Sequence, residues 1–167
     1  MVVSPEAEVN PEQGPICANS GRPAVFQRSD QDCLLCAFAM LAGVDYDQAA
    51  SAAKALHAPY DPLTTPMSHA LMRRMAHEAG LVLFSSIYMD WRFPGIVGVV
   101  SLTQEDCGHA LFWDGQMLID PGRTGLYDRS YVDTHALEFT QRANDLGEVF
   151  ALDRKFAATA IRLWEAF

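Results

Sequence analysis

The sequence predicts an α+β domain in which helices come first and a mainly antiparallel sheet follows. Three observations support this prediction: an apolar helix-like run at 33–42, helical spacing in two later segments, and a β-hairpin signal at 109–120. The chain has 167 residues, half of them apolar, which is enough to bury one core of ordinary size. We therefore expect a single domain over 23–167, preceded by an extended N-terminal arm over 1–22.

Each helix is expected from its capping signals. Gly43 is a natural residue just past the end of the first helix, and Asp45 or Asp47 is a natural N-cap for the second. Thr65 followed by Pro66 is typical of an N-cap and a first helical residue. The predicted helices are 33–42, a second running through Leu56, and a third from Pro66 to Ala79.

Strands dominate the predicted second half. Apolar runs indicate strands at 81–88 and 96–102, and the hairpin follows. After a loop at 121–131, the pattern indicates a short helix over 133–143, a strand over 148–152 and a terminal helix over 156–167.

The hairpin places a histidine opposite an aspartate. Asp114-Gly115 between apolar runs is the strongest short-range signal for a two-residue turn. With that turn, His109 pairs directly with Asp120, and opposed Cβ atoms lie roughly 4.5–5.5 Å apart. The carboxylate then reaches one ring nitrogen of His109 and leaves the other nitrogen for a partner from elsewhere in the fold.

Cys33 opens the first predicted helix. The positive end of the helix dipole and a nearby imidazolium both favour a thiolate, which is the nucleophilic form of cysteine. The helix start offers a backbone N–H to an oxyanion, and the amide of Gln27, six residues earlier, can supply a second donor. We expect Asp32 to point away from the thiolate. Cys36, one turn further along an apolar run, is assigned to packing.

These motifs resemble those of the papain-like superfamily of cysteine peptidases, and most closely the C39-type domains that process bacteriocin leaders. The resemblance lies in Gln27 six residues before Cys33, the Asp32-Cys33 pair, Met40-Leu41, and His109 with Asp120-Pro121. It implies a central helix carrying the cysteine, packed on a sheet carrying the histidine and aspartate. It implies Cys33 as nucleophile, His109 as general base and then acid, Asp120 as its orienting partner, and Gln27 in the oxyanion hole. Leu34 stands where that family usually has glycine.

Several alternatives stay open at this point. The same triad supports acyl transfer or deamidation, which differ from hydrolysis in the group that attacks or leaves. Four residues have permissible spacing for a zinc-binding, non-enzymatic module: Cys33, Cys36, Cys107 and His109. The Cys33-x-x-Cys36 spacing also suits thiol–disulfide exchange, although no strand is predicted before it. A papain-like shell that only binds is the last alternative.

The amino-acid composition of the chain limits the classes of partner that we expect it to bind. A net charge of −9 disfavours nucleic acid, whose phosphates select clustered Lys and Arg. No apolar run approaches the roughly 20 residues that span a bilayer, and the N-terminus lacks the basic residues of a secretory signal. The four cysteines do not suggest a disulfide scaffold, so we expect a cytoplasmic protein. We expect a peptide or protein substrate, with no metal and no cofactor.

Overall fold

The computed structural model describes residues 14–86, 91–101, 107–122, 126–128 and 156–162, and these form a mixed α+β fold. The helices come first, as α1 (Cys33–Ala42), α2 (Tyr46–Leu56) and α3 (His69–Glu78). The strands follow, as β1 (Leu81–Ser86), β2 (Gly95–Val100), β3 (Gly108–Trp113), β4 (Leu118–Ile119), β5 (Leu126–Tyr127) and β6 (Phe156–Arg162). The predicted α+β fold class, with helices first and an antiparallel sheet after them, is confirmed at this level.

Helix α1 is the central core helix, as predicted. All of its residues from Leu34 to Leu41 are buried, and it packs against β3, β2 and the other two helices. Gly43 ends it in the left-handed conformation, at a φ of 70°, and donates its N–H towards the last carbonyls of the helix. Only glycine adopts this conformation without a steric penalty from Cβ.

The starts of the other two helices differ in how well the sequence predicts them. Asp45 caps α2 as expected, in a reciprocal capping box with Gln48. Helix α3 begins at His69, three residues after the predicted start at Pro66, so that prediction is wrong. The N-cap is Ser68, whose side chain accepts a hydrogen bond from the N–H of Leu71. This places Met67 in the hydrophobic core, whereas a start at Pro66 would have made it helical.

The six described strands form one antiparallel sheet in the order β1-β6-β2-β3-β4-β5. The predicted terminal helix is wrong over Phe156–Arg162, because this segment is β6 and lies between β1 and β2. Hydrogen-bonded neighbours on both sides outweigh the helical spacing of its apolar residues. The predicted helix at 133–143 and strand at 148–152 lie outside the described residues.

Each face of the sheet around β2 and β3 has its own apolar cluster. One face joins the core formed by the helices, through Ile96, Ala110, Phe112 and Ile119. The opposite face forms a second cluster from Val97, Val99, Leu111, Trp113 and Leu118. Trp91 covers this second cluster with its ring edge-on to Trp113, the two centroids 5.0 Å apart, and its carbonyl accepts the indole N–H of Trp113.

Residues 14–22 fold back against the domain, in contrast to the extended arm predicted over 1–22. Cys17 is fully buried in the helix-side core, and Ile16 forms an antiparallel bridge with Pro23. The N–H of Ala18 donates to the carboxylate of Asp114 in the hairpin at 2.8 Å. The rest of the predicted arm, 1–13, lies outside the described residues.

Within the described ranges, none of the helices alone has both the length and the apolar character needed to cross a bilayer. Helices α1 and α2 reach that length and composition only together, as a pair bent by 106°.

Candidate active site

The hairpin that carries the histidine and the aspartate has a different register from the predicted one. Phe112 pairs with Ile119, and the N–H of Asp114 donates to the carbonyl of Met117. The two central turn residues are therefore Gly115 and Gln116, where Asp114 and Gly115 were predicted. Gly115 takes a positive φ of 101°, and the Asp114 carboxylate accepts the N–H groups of Gln116 and Met117. Asp114 thus ends its strand and caps the turn.

The predicted contact between His109 and Asp120 nevertheless forms, with Nε2 and Oδ1 at 2.7 Å. The register is shifted by two residues, and side chains alternate between faces with a period of two, so both groups stay on one face. Continuing the observed pairing places Asp120 opposite Leu111, one diagonal step from His109. Diagonal neighbours lie roughly 7–8 Å apart, within reach of long side chains.

Asp120 is 2% exposed and uses one oxygen for two contacts. Its Oδ1 faces His109 Nε2 and also accepts the backbone N–H of Gly122 at 2.9 Å. A Cβ at position 122 would lie 2.8 Å from Gln27 Oε1 and 3.4 Å from Asp120 Oδ1. A side chain at 122 would therefore require the Gln27 amide to move.

Cys33 is the first residue of α1 and is half-buried. It lines the same cavity as His109, and its thiol is among the groups that raise the pKa of that ring. Because Nε2 of that ring faces Asp120, the nitrogen left for the thiol is Nδ1. The structure thus brings together three of the four predicted site residues in the order thiol, imidazole, carboxylate.

The surroundings of His109 favour its protonated form. Burial of the ring acts in the opposite direction, because it disfavours the charged imidazolium. The hydrogen bonds to Asp120 and Cys33, and the charges of these two partners, outweigh burial and raise the pKa of His109 to about 9. A pKa of about 9 means that the ring is mainly protonated at neutral pH.

Gln27, the fourth predicted site residue, lies on the Asp120 side of the histidine. Its backbone N–H donates to the Pro121 carbonyl at 2.9 Å, and its side-chain amide donates to the Ser29 carbonyl at 2.8 Å. It lines an open cavity of about 680 Å³ that also includes Gly122. Its oxyanion role stays a prediction, since the contacts place it next to Asp120 and Gly122.

A further residue of the site is Asp32, which is expected from the sequence only to point away from the thiolate. It makes no side-chain cap bond and is 0% exposed. Its Oδ2 accepts the N–H of Arg28 at 3.0 Å and the hydroxyl of Tyr46 at 2.8 Å. The carboxylate therefore fixes the turn that separates Gln27 from Cys33. The sequence feature that could have indicated this role is an acidic residue directly before an apolar helix.

Tyr46 and Tyr60 surround this second carboxylate. Burial and the hydrogen bond to Asp32 raise the pKa of Tyr46 well above its usual value, so its hydroxyl remains a donor. Burial, and then the charge of Asp32, act in the same direction on the pKa of Tyr60. Within the described residues, Asp32 Oδ1 and the Tyr60 hydroxyl are buried polar atoms with no hydrogen-bond partner.

The zinc alternative requires four ligands to converge. Cys36 is fully buried inside α1, and burial raises the pKa of its thiol, whereas Cys107 is exposed just before β3. In the part of the chain that the structure describes, no group of three or more His, Cys, Asp or Glu side chains is arranged to hold a metal ion.

Comparison with known proteins adds no relative. No family model, no curated protein and no solved structure matches this chain.

Proposed function

We propose that this protein is a cysteine-dependent hydrolase that cleaves peptide or isopeptide bonds. The observation that carries the proposal is the chain of contacts from the Cys33 thiol through His109 to the buried Asp120 carboxylate. A thiol at a helix start, bonded to an imidazole that a carboxylate orients, is the activated arrangement of nucleophilic catalysis. Its similarity to papain-like sites supports the same proposal.

The proposed reaction has two stages. In the first, the Cys33 thiolate attacks the substrate carbonyl carbon, and the imidazolium of His109 gives its proton to the leaving amine as the C–N bond breaks. In the second, His109 takes a proton from water, whose oxygen attacks the thioester. The C–S bond then breaks, the acid product leaves, and the thiolate–imidazolium pair is restored.

Two further features serve these stages. The first N–H groups of α1 have no partner inside the helix, so the N–H of Cys33 can donate to the oxyanion that forms next to its own sulfur. The Gln27 amide is the proposed second donor. Asp120 keeps the ring oriented through Nε2 and stabilises its positive charge, which leaves Nδ1 for the sulfur.

The test is competitive alkylation, with Cys107 as an internal control. Cys107 is exposed whereas Cys33 is half-buried, so accessibility alone predicts faster reaction at Cys107. We expect limiting iodoacetamide at neutral pH to modify Cys33 first, as measured by peptide mass mapping, and His109→Ala to reverse that order. An electrophilic peptide probe should label Cys33 in the wild type, and Cys33→Ala should abolish peptide turnover while the protein stays folded. Preferential modification of Cys107 in the wild type, or turnover by Cys33→Ala, would overturn the proposal.

A further inference from the structure

A cavity of about 260 Å³ opens directly beside the Cys33 and His109 side chains. It lies between the start of α1, the segment before α3, and the helix-facing side of strands β2 and β3. Leu34, Pro66 and Met67 form part of its wall. It shares no lining residue with the cavity that Gln27 lines.

The floor of the cavity is lined by small residues. Gly98 pairs directly with Ala110 across β2 and β3, and Gly108 is the next residue of β3 on the same face as Ala110. Elsewhere this face carries bulky side chains such as Phe112 and Ile96, which are fully buried against the helices. The small residues Gly98, Gly108 and Ala110 therefore lie on this face where the cavity adjoins Cys33.

The cavity wall is mainly apolar, and Gln31 and His69 are its polar members besides His109. Leu34, Met67 and Ile96 line it and are each at least nine-tenths buried in the fold. No Asp, Glu, Lys or Arg is among the described residues that line it, and the ring of His109 is already bonded to Asp120 and Cys33. A charged group placed there would lose hydration and would find no Asp, Glu, Lys or Arg side chain to pair with among the described lining residues.

The volume of the cavity indicates the size of the group that it can hold. Pockets that enclose whole drug-sized ligands have volumes of roughly 300–1,000 Å³. A volume of about 260 Å³ suits a single large side chain of a longer substrate.

We propose that this cavity is the specificity pocket of the enzyme and binds one large apolar side chain, of the Leu, Met or Phe type, close to the scissile carbonyl. The inference rests on the proposed function, because it needs Cys33 to attack a peptide held across the site. It names the substrate class as peptides or proteins with an apolar residue next to the cleaved bond.

The first test uses the wild-type protein and fluorogenic peptides that differ only at the residues flanking the cleaved bond. Replacing Leu or Phe by Gly at the residue that enters the cavity should lower kcat/KM by roughly 10–100-fold, and Asp or Lys should lower it further. Equal turnover of the Leu, Gly and Asp peptides, together with normal alkylation of Cys33, would overturn the pocket but leave the proposed function standing. Unreactive Cys33 would overturn both.

The second test narrows the pocket by substitution. A Cβ at Gly108 would meet nothing closer than the Val99 carbonyl oxygen at 3.9 Å, so Gly108→Val fits the strand and projects into the cavity. The readout is the ratio of kcat/KM for Leu and Gly peptides within each protein, which cancels any general change in the reactivity of the thiol. We expect the ratio to fall about tenfold or more in Gly108→Val. The matched control Ala52→Val, on the exposed side of α2, should keep the wild-type ratio. An unchanged ratio in Gly108→Val would overturn the assignment of this cavity.

Discussion

Two buried carboxylates flank the nucleophile, and they differ in what they contact. Asp120 is 2% exposed and contacts a titratable ring, that of His109, together with the N–H of Gly122. Asp32 is 0% exposed and contacts the N–H of Arg28 and the hydroxyl of Tyr46. The two carboxylates are therefore similarly buried but have different partners. The partner of Asp120, the ring of His109, changes its charge during the proposed reaction, whereas the partners of Asp32 do not.

This difference in partners gives the two aspartates different roles, although the sequence shows only the same residue type at both positions. A carboxylate bonded to an imidazole sets the charge and orientation of a reacting group. A carboxylate bonded to backbone and phenol sets the shape of a turn. Removing Asp120 should therefore impair chemistry more than folding, and removing Asp32 should impair folding more than chemistry.

The largest effect is expected from Asp120→Asn. This substitution keeps the size of the side chain but removes its charge, so the imidazolium loses its main stabilising partner. We expect peptide turnover to fall roughly 10²–10⁴-fold, the range that a general acid–base group contributes. The pKa of His109, about 9 in the wild type, should move down towards its ordinary value. NMR titration of the ring, together with the alkylation rate of Cys33 against pH, measures both changes.

Asp114 provides the matched control for that substitution. It lies in the same hairpin, is 4% exposed and accepts the N–H groups of Ala18, Gln116 and Met117. Asp114→Asn should lower stability and leave the titration of His109 in place. If Asp120→Asn kept the wild-type titration and turnover, the two carboxylates beside Cys33 would have the same, structural role.

The next effect is expected from Asp32→Ala. The substitution leaves the N–H of Arg28 and the hydroxyl of Tyr46 without their acceptor, and an unpaired buried donor costs roughly 1–3 kcal/mol. We expect the free energy of unfolding to fall by about 2–4 kcal/mol in urea denaturation. In the folded fraction, the alkylation rate of Cys33 should change far less than in Asp120→Asn. A variant as stable as the wild type, but with unreactive Cys33, would reverse the two roles.

Comparing the predicted hairpin with the observed one explains how much of the site can be predicted from the sequence. The turn chemistry of Asp114-Gly115 predicts a hairpin, and the period of two predicts which residues share a face. The register was wrong because the Asp114 side chain caps the turn, which places Gly115 and Gln116 at its centre. The contact between His109 and Asp120 survives since the error is an even number of residues. A shift of one residue would have removed it.

Other parts depended on tertiary structure that local patterns do not contain. Helix α1 was predictable because its apolar run and Gly43 act within a few residues of one another. Strand β6 was not, because its two partners, β1 and β2, lie more than 50 residues away in the chain. The role of Asp32 likewise depends on Tyr46, which only the packing of α2 against α1 brings into contact.

The smallest effect on stability is expected from substitutions of the two tyrosines near Asp32. These substitutions also test the comparison of Asp32 with Asp120 most closely. Tyr46→Phe removes a hydroxyl that donates to a carboxylate at 2.8 Å, and hydrogen bonds to charged groups contribute roughly 1.5–3 kcal/mol. Tyr60→Phe removes a hydroxyl that has no partner within the described residues, so we expect a change in unfolding free energy below about 1 kcal/mol. Both substitutions delete one oxygen from a buried ring, which makes each the control for the other in the same denaturation experiment. An equal loss in both variants would mean that the Tyr60 hydroxyl also stabilises the fold through a hydrogen bond. Asp32 Oδ1, which also has no partner among the described residues, would then be the first acceptor to test.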